Sequence, residues 1–367
     1  MEQEEFFAWL GLARALVLQS KQVQETLKRR GSAAAVFFAS PEELEGGMPS
    51  TTIDRILDVR RTVDLQQEAA DLERHGIRVL TWNDEAYPTL LKQIGTPPPL
   101  LFYRGALPES SQILVSMVGA RHATIYGRTV TRSLVAEAVT HGIGIVSGLA
   151  FGIDETAHKT TLEQGGYTIA VLGGSLDDAS IAPSYHRALA NEIVQSGGCL
   201  LSEYPTGTLP QPFHFPVRNR IIAGLSPLTV VVEAAGKSGS LITAQIALEE
   251  NRDVAAVPGP ITSPTGRGTN QLIKDGAHVI VEPKDVLGLL NLDRLDAIER
   301  LSDQQITNAD DRALMDILSR ERHDAHNLAR MCNLPVADVL HRLTLLELKG
   351  LVQSVGSGYF EVTGIPR

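Results

Sequence analysis

Ile113-Leu114-Val115-Ser116-Met117-Val118-Gly119-Ala120-Arg121 opens a stretch in which short apolar runs, many closed by glycine, alternate with helical spacing. Later runs lie at 144–146, 169–172, 200–201, 228–232, 254–257 and 278–281. A strand covered on one face alternates apolar and polar residues, whereas one covered on both faces does not. Continuous Val, Ile and Leu therefore predict strands buried on both faces. Their alternation with helices predicts an α/β fold with a mostly parallel, doubly wound, Rossmann-like sheet. In such sheets ligands bind beyond the carboxyl ends of the strands, so the residues that follow each run carry the functional signal.

On the N-terminal side, residues 1–75 read as a helical module. Phe6, Phe7, Leu10, Leu12 and Leu16 form an apolar stripe, and Gly31, Pro41 and Gly46-Gly47 punctuate it. Strand-like Ile77-Arg78-Val79-Leu80 and Leu100-Leu101-Phe102-Tyr103 flank the loop Thr96-Pro97-Pro98-Pro99, and the α/β domain is expected over 76–290. Residues 291–309 are polar and Asp-rich and read as a linker. The tail, 310–367, predicts helices over 312–318, 326–331 and 337–349. A hairpin, Val352-Gln353-Ser354-Val355 and Tyr359-Phe360-Glu361-Val362 around Gly356-Ser357-Gly358, completes the order of a winged helix. Its candidate recognition helix, 335–349, carries Asp338, His341, Arg342, Glu347 and Lys349. That near-neutral balance points to an accessory or protein-contact role over duplex binding.

The chain has 367 residues, 43% hydrophobic and 21% charged, which suits two or three globular domains. It lacks a long uncharged apolar run, and Met1-Glu2-Gln3-Glu4-Glu5 is acidic where a secretory leader is basic. Cys199 and Cys332 make neither a disulfide framework nor zinc-ligand spacing. The expectation is a cytoplasmic protein without membrane insertion or structural metal. A net charge of −10 argues against broad attraction to phosphates, so any nucleic-acid role rests on where individual arginines sit.

Each informative motif follows a run. Gly119 permits a tight turn that places Arg121 and His122 at a strand exit, where an arginine can grip a phosphate through two N–H groups. Ser147-Gly148-Leu149-Ala150-Phe151-Gly152-Ile153-Asp154 offers backbone N–H groups to an anion at a helix start, with Asp154 the expected N-cap. Phe213-His214-Phe215-Pro216-Val217-Arg218-Asn219-Arg220 interleaves aromatic and basic residues, the recipe for a single strand. The alternative there is core packing of Phe213 and Phe215, with Arg218 pairing Glu203 or Glu233. Gly236-Lys237-Ser238-Gly239-Ser240 resembles the end of a phosphate loop, but Val231 stands where a Walker A sequence needs glycine. Gly266-Arg267-Gly268-Thr269-Asn270 precedes another helix. No complete dinucleotide fingerprint, nucleophile elbow or zinc-protease helix is present, and no cofactor is expected.

In this order the motifs resemble the DNA-processing protein A family (DprA, also called Smf). The resemblance rests on 118–121, 147–154, 215–226, 232–243 and 257–270. It implies single-stranded DNA binding during natural transformation, protection of the incoming strand, loading of the recombinase RecA, and a homodimer without a required catalytic step. It also implies a SAM-like N-terminal module. By this likeness Arg121 and an Arg218/Arg220 loop face the DNA, with Gly119, His122, Ser147, Gly148, Phe215, Asn219, Lys237, Ser238, Ser240, Arg267 and Asn270 around them. Ser184 stands where the family carries a basic residue, and Arg187 or His186 is the substitute. A rival class is a nucleotide-phosphate-binding enzyme or sensor of the cytokinin-activating, lysine-decarboxylase-like (LOG) Rossmann type. It would use Gly173-Gly174-Ser175 and the 237–240 turn, with Glu233 as the acid. A third reading is a duplex-binding regulator working through the winged helix.

Overall fold

A computed structural model describes residues 2–16, 18–292, 309–318, 321–348, 351–356 and 358–362. The expected linker at 291–309 falls almost wholly outside them, as do Lys349 and Ser357. The chain forms two units, Met1–Val286 and Leu287–Arg367.

The first unit begins with six helices: α1 (Gln3–Arg14), α2 (Lys21–Arg30), α3 (Ala33–Phe37), α4 (Pro41–Leu44), α5 (Ser50–Thr62) and α6 (Leu65–Arg74). Their apolar faces bury Leu10, Leu12, Val23, Val36, Phe37, Leu44 and Ile56. A Cβ on Gly11 would stand 2.3 Å from the Phe37 ring, so glycine is what lets α1 and α3 touch. Gly31, at φ +83°, ends α2 in the left-handed conformation. Ser40 and Glu43 close a capping box on α4. Lys28 lies 5.3 Å from the Trp82 ring and the Gln19 amide donates to the Tyr204 hydroxyl, tying these helices to the sheet.

The chain then runs β1 (Arg78–Thr81), α7 (Thr89–Lys92), β2 (Leu100–Gly105), β3 (Leu114–Val118), α8 (Ile125–Thr140), β4 (Gly144–Ser147), α9 (Ile153–Glu163) and β5 (Thr168–Val171). It continues through α10 (Arg187–Gln195), β6 (Cys199–Ser202), α11 (His214–Gly224), β7 (Leu228–Val231), α12 (Gly239–Glu249), β8 (Asp253–Ala256), α13 (Arg267–Lys274), β9 (His278–Val279) and α14 (Asp285–Leu289). These strands form one sheet in the order β1-β2-β6-β5-β4-β3-β7-β8-β9. From β6 to β9 all pairings are parallel, and every residue of β3 to β7 is buried, as the continuous apolar runs require. The flanking strands β1 and β2 extend the sheet by antiparallel pairing, β2 against β6.

The chain steps from β3 outward to β6, then returns to the other side of β3 for β7 to β9. The order reverses between β3 and β7, which makes the loops after those strands the expected crevice. Helices α8, α9 and α10 pack together, as do α7, α11 and α12.

In the second unit, helices Ala309–Leu318, Ala325–Cys332 and Val336–Leu348 surround Leu314, Leu328, Val339, Leu343 and Leu346. Strands β10 (His323–Asp324), β11 (Val352–Ser354) and β12 (Tyr359–Val362) form an antiparallel sheet in the order β10-β12-β11. This is a winged helix. Arg342, on the candidate recognition helix, is held by Asp310 at 2.7 Å and Asp311 at 2.6 Å. Its charge is spent within the unit.

His158, on α9, is fully buried, and its Nδ1 lies 2.8 Å from Thr168 Oγ1. Burial, reinforced by the charges of His186 and Arg218, holds its pKa down at about 3. The unfolded chain therefore takes up this proton first, and stability is complete above the unfolded pKa and falls as pH drops from there toward 3. At pH 5 the expected cost is about 2 kcal/mol. A His158→Gln variant loses less stability than wild type between pH 7.5 and 5 in urea titrations; parallel losses contradict this assignment.

Candidate nucleic-acid interface

The exits of β3 and β4 interlock through glycine. A Cβ on Gly119 would stand 2.5 Å from the Ile153 side chain, and one on Gly152 would stand 2.3 Å from the Ala120 carbonyl. Gly152 also has φ +84°, and the Ile153 N–H donates to Ala120 O at 3.2 Å. Leu149, buried at φ +57°, holds a left-handed conformation that costs a non-glycine residue free energy. His186 Nδ1 fixes that turn by donating to Leu149 O at 2.8 Å.

Two local expectations need correction. Asp154 is not the N-cap of α9; Gly152 occupies that position. Asp154 lies in the first turn and folds back, accepting from the N–H groups of Gly148 at 3.1 Å and Ala150 at 3.3 Å. The supposed Arg218/Arg220 loop is the helix α11. Pro216 fits there because it sits in the first turn, where its missing N–H has no helical partner.

Arg218 is only 5% exposed. Its guanidinium donates to Gly148 O at 2.9 Å, to Val171 O, and to Asn219 Oδ1 at 3.3 Å. It pairs with neither Glu203 nor Glu233; Asp154 is its counter-charge. Burial pulls the Arg218 pKa down to about 10 against the pull of Asp154, and burial raises the Asp154 carboxyl against the pull of Arg218. Arg220 is the residue that pairs with buried Glu203.

Around this buried pair lies a cleft of about 710 Å³ at the β3/β7 reversal. Gly119, Arg121, His122, Phe215, Arg218, Asn219, Ser238 and Ser240 line it, so candidates from three motifs meet. Arg121 and His122 are exposed, and the Arg121 guanidinium stands 5.5 Å from the centroid of the Phe215 ring. Gly148 lies under Arg218, while Ser147 is buried and donates to Met117 O at 2.6 Å. Asn219 is mostly buried and donates to Gly239 O at 3.5 Å.

Other candidates stand outside the lining. Arg187, Lys237 and Arg267 are exposed at the starts of α10, of the turn before α12, and of α13. The Asn270 amide is committed to both the N–H and the carbonyl of Gly259. Asp154, Pro212, Pro216, Ile242 and Thr243 line the cleft without having been singled out as contacts. Only Asp154 carried a signal, as an acid within reach of a basic motif.

Glu233, the acid that the rival class requires, is buried and fully used. It accepts from the Thr124 N–H at 2.9 Å, the Thr124 hydroxyl at 2.6 Å and the Thr265 hydroxyl at 3.2 Å, which clamps the start of α8.

The family model of DNA recombination-mediator protein A matches residues 78–291, and that of the DprA winged helix domain matches 299–358. The chain belongs to the DprA/Smf family. It is 38% identical to protein Smf of Escherichia coli (strain K12) over 78% of each chain. It is 42% identical to the DNA processing protein DprA of Streptococcus pneumoniae over 56% of this chain and 71% of that one. The X-ray structure of DprA from S. pneumoniae superposes with a TM-score of 0.66 at 32% identity, over 77% of this chain and 97% of that one. DNA processing protein A from Helicobacter pylori, whose structure concerns a single-stranded DNA binding mode, gives 0.52 at 28% identity over 59% and 97%.

Asp154→Asn strands the Arg218 charge and is expected to cost about 3–5 kcal/mol in chemical denaturation. Adding Arg218→Met removes the stranded charge, so the double variant is more stable than Asp154→Asn alone. Additive losses would show that the two charges act independently.

Proposed function

We propose that this member of the DprA/Smf family binds single-stranded DNA across the carboxyl edge of its sheet. Phosphates sit at Arg121 and His122, and a base lies against Phe215. The observation that carries the reading is the exposed Arg121 guanidinium over Phe215 inside the cleft at the strand-order reversal. A guanidinium stacked on a ring keeps its edge N–H groups free for phosphate oxygens. The start of α12 at Ser238 and Ser240 adds the positive end of a helix dipole to the same wall.

Arg187, Lys237 and Arg267 extend the path along the edge as exposed cations. Arg218, Arg220 and Asn270 act through the scaffold: Arg218 and Asn270 are hydrogen-bonded to backbone groups, and Arg220 is paired with buried Glu203. The kinship with DprA proteins supports a role in DNA uptake, with transfer of the strand to RecA by a cytoplasmic homodimer. The chemistry is recognition rather than catalysis. Among the described residues no helix is long and apolar enough to cross a membrane.

Backbone contacts predominate in this reading, so sequence preference is weak. Affinity for oligothymidine falls with salt at a log–log slope of about −0.7 per phosphate neutralised. Arg121→Ala flattens the slope by about 0.7 and weakens all sequences alike. Anisotropy titrations over a sodium chloride series measure both. Salt-independent binding, or an unchanged slope in Arg121→Ala, overturns the assignment.

A further inference from the structure

Phe151 and Tyr185 are 43% and 74% exposed. Their ring centroids are 6.2 Å apart with planes tilted by 38°. The buried His186 ring supports both, at 4.7 Å from Phe151 and 5.8 Å from Tyr185. His186 is itself fixed by its hydrogen bond to Leu149 O at 2.8 Å, and the Glu155 carboxylate lies 3.4 Å from its other nitrogen. The backbone beneath Phe151 runs between two residues of positive φ, Leu149 at +57° and Gly152 at +84°. Two large apolar faces are therefore held in water by a rigid support.

Ala150, the residue before Phe151, is part of the cleft wall. Glu155 also carries an ion pair with Lys159 at 2.7 Å. Arg187, next but one to Tyr185, is exposed and cationic. An exposed aromatic pair close in sequence to the cleft wall on one side and to an exposed cation on the other suits a nucleobase whose flanking phosphates need positive partners.

The geometry points to Phe151 and Tyr185 as a stacking platform for a base of single-stranded DNA, a second contact beyond the one at Phe215. It rests on the reading of the cleft as a DNA site. Stacking is indifferent to base identity, because every base has a π face, and it neutralises no phosphate. The platform thus contributes affinity without salt dependence.

The test uses the full chain, labelled oligothymidine, and an abasic phosphodiester strand of equal length, each titrated over a salt series. Phe151→Ala with Tyr185→Ala weakens oligothymidine binding by about tenfold, leaves the salt slope unchanged, and leaves the abasic strand at wild-type affinity. The swapped pair Phe151→Tyr with Tyr185→Phe keeps wild-type affinity on both. Wild-type binding of oligothymidine by the alanine pair overturns the platform. So does an equal loss on both strands, which marks a damaged loop. If instead Arg121→Ala leaves the salt slope untouched, the reading of the cleft fails, and the platform fails with it.

Discussion

A guanidinium buried at the carboxyl edge of a sheet must find acceptors within the protein, because desolvating a charge without partners costs more than a domain can spare. Arg218 finds them in the carbonyls of Gly148 and Val171, the Asn219 amide and the charge of Asp154. Gly148 follows β4, Val171 ends β5, Asp154 belongs to α9 and Arg218 to α11. One side chain therefore ties together two strand exits and two helices. The cleft takes its shape from that knot. Gly148 must lack a side chain to admit it, since a Cβ there would lie 2.6 Å from Arg218 and 2.9 Å from Asp154.

This arrangement divides the positive charges into two kinds. Arg218 and Arg220 are neutralised inside the fold and hold it in place. Arg121, Arg187, Lys237 and Arg267 stand in solvent at strand exits or helix starts and remain available. A chain with a net charge of −10 can present a local basic track in this way. Rigid supports under the exposed groups, Phe215 under Arg121 and His186 under Phe151, reduce the ordering cost that binding must overcome.

Much of this was legible in the residues. Seven apolar runs gave β3 to β9 because burial on both faces leaves little room for polar residues. The winged-helix tail was legible from its helix and hairpin spacing. The joining of β2 to β6 was not, because antiparallel pairing between segments so far apart in sequence leaves no local mark. Nor was the helical state of 214–224, where Pro216 and alternating aromatic and basic residues read as a loop. The roles of Arg218 and Arg121 differ only through burial. Both are arginines after apolar runs, and nothing in the spacing says that one is enclosed by four elements while the other lies open. Glu233 shows the same limit. Its place beside a glycine turn suggests chemistry, whereas its bonds to Thr124 and Thr265 make it a clamp.

The most direct measurement is a crystal structure of the full chain with a short oligothymidine. A phosphate is expected within hydrogen-bonding reach of Arg121 and a base against the Phe215 ring, on the carboxyl edge between the exits of β3 and β7. A strand bound at the opposite edge of the sheet, or on the winged-helix unit with the Arg121 cleft empty, would contradict that placement.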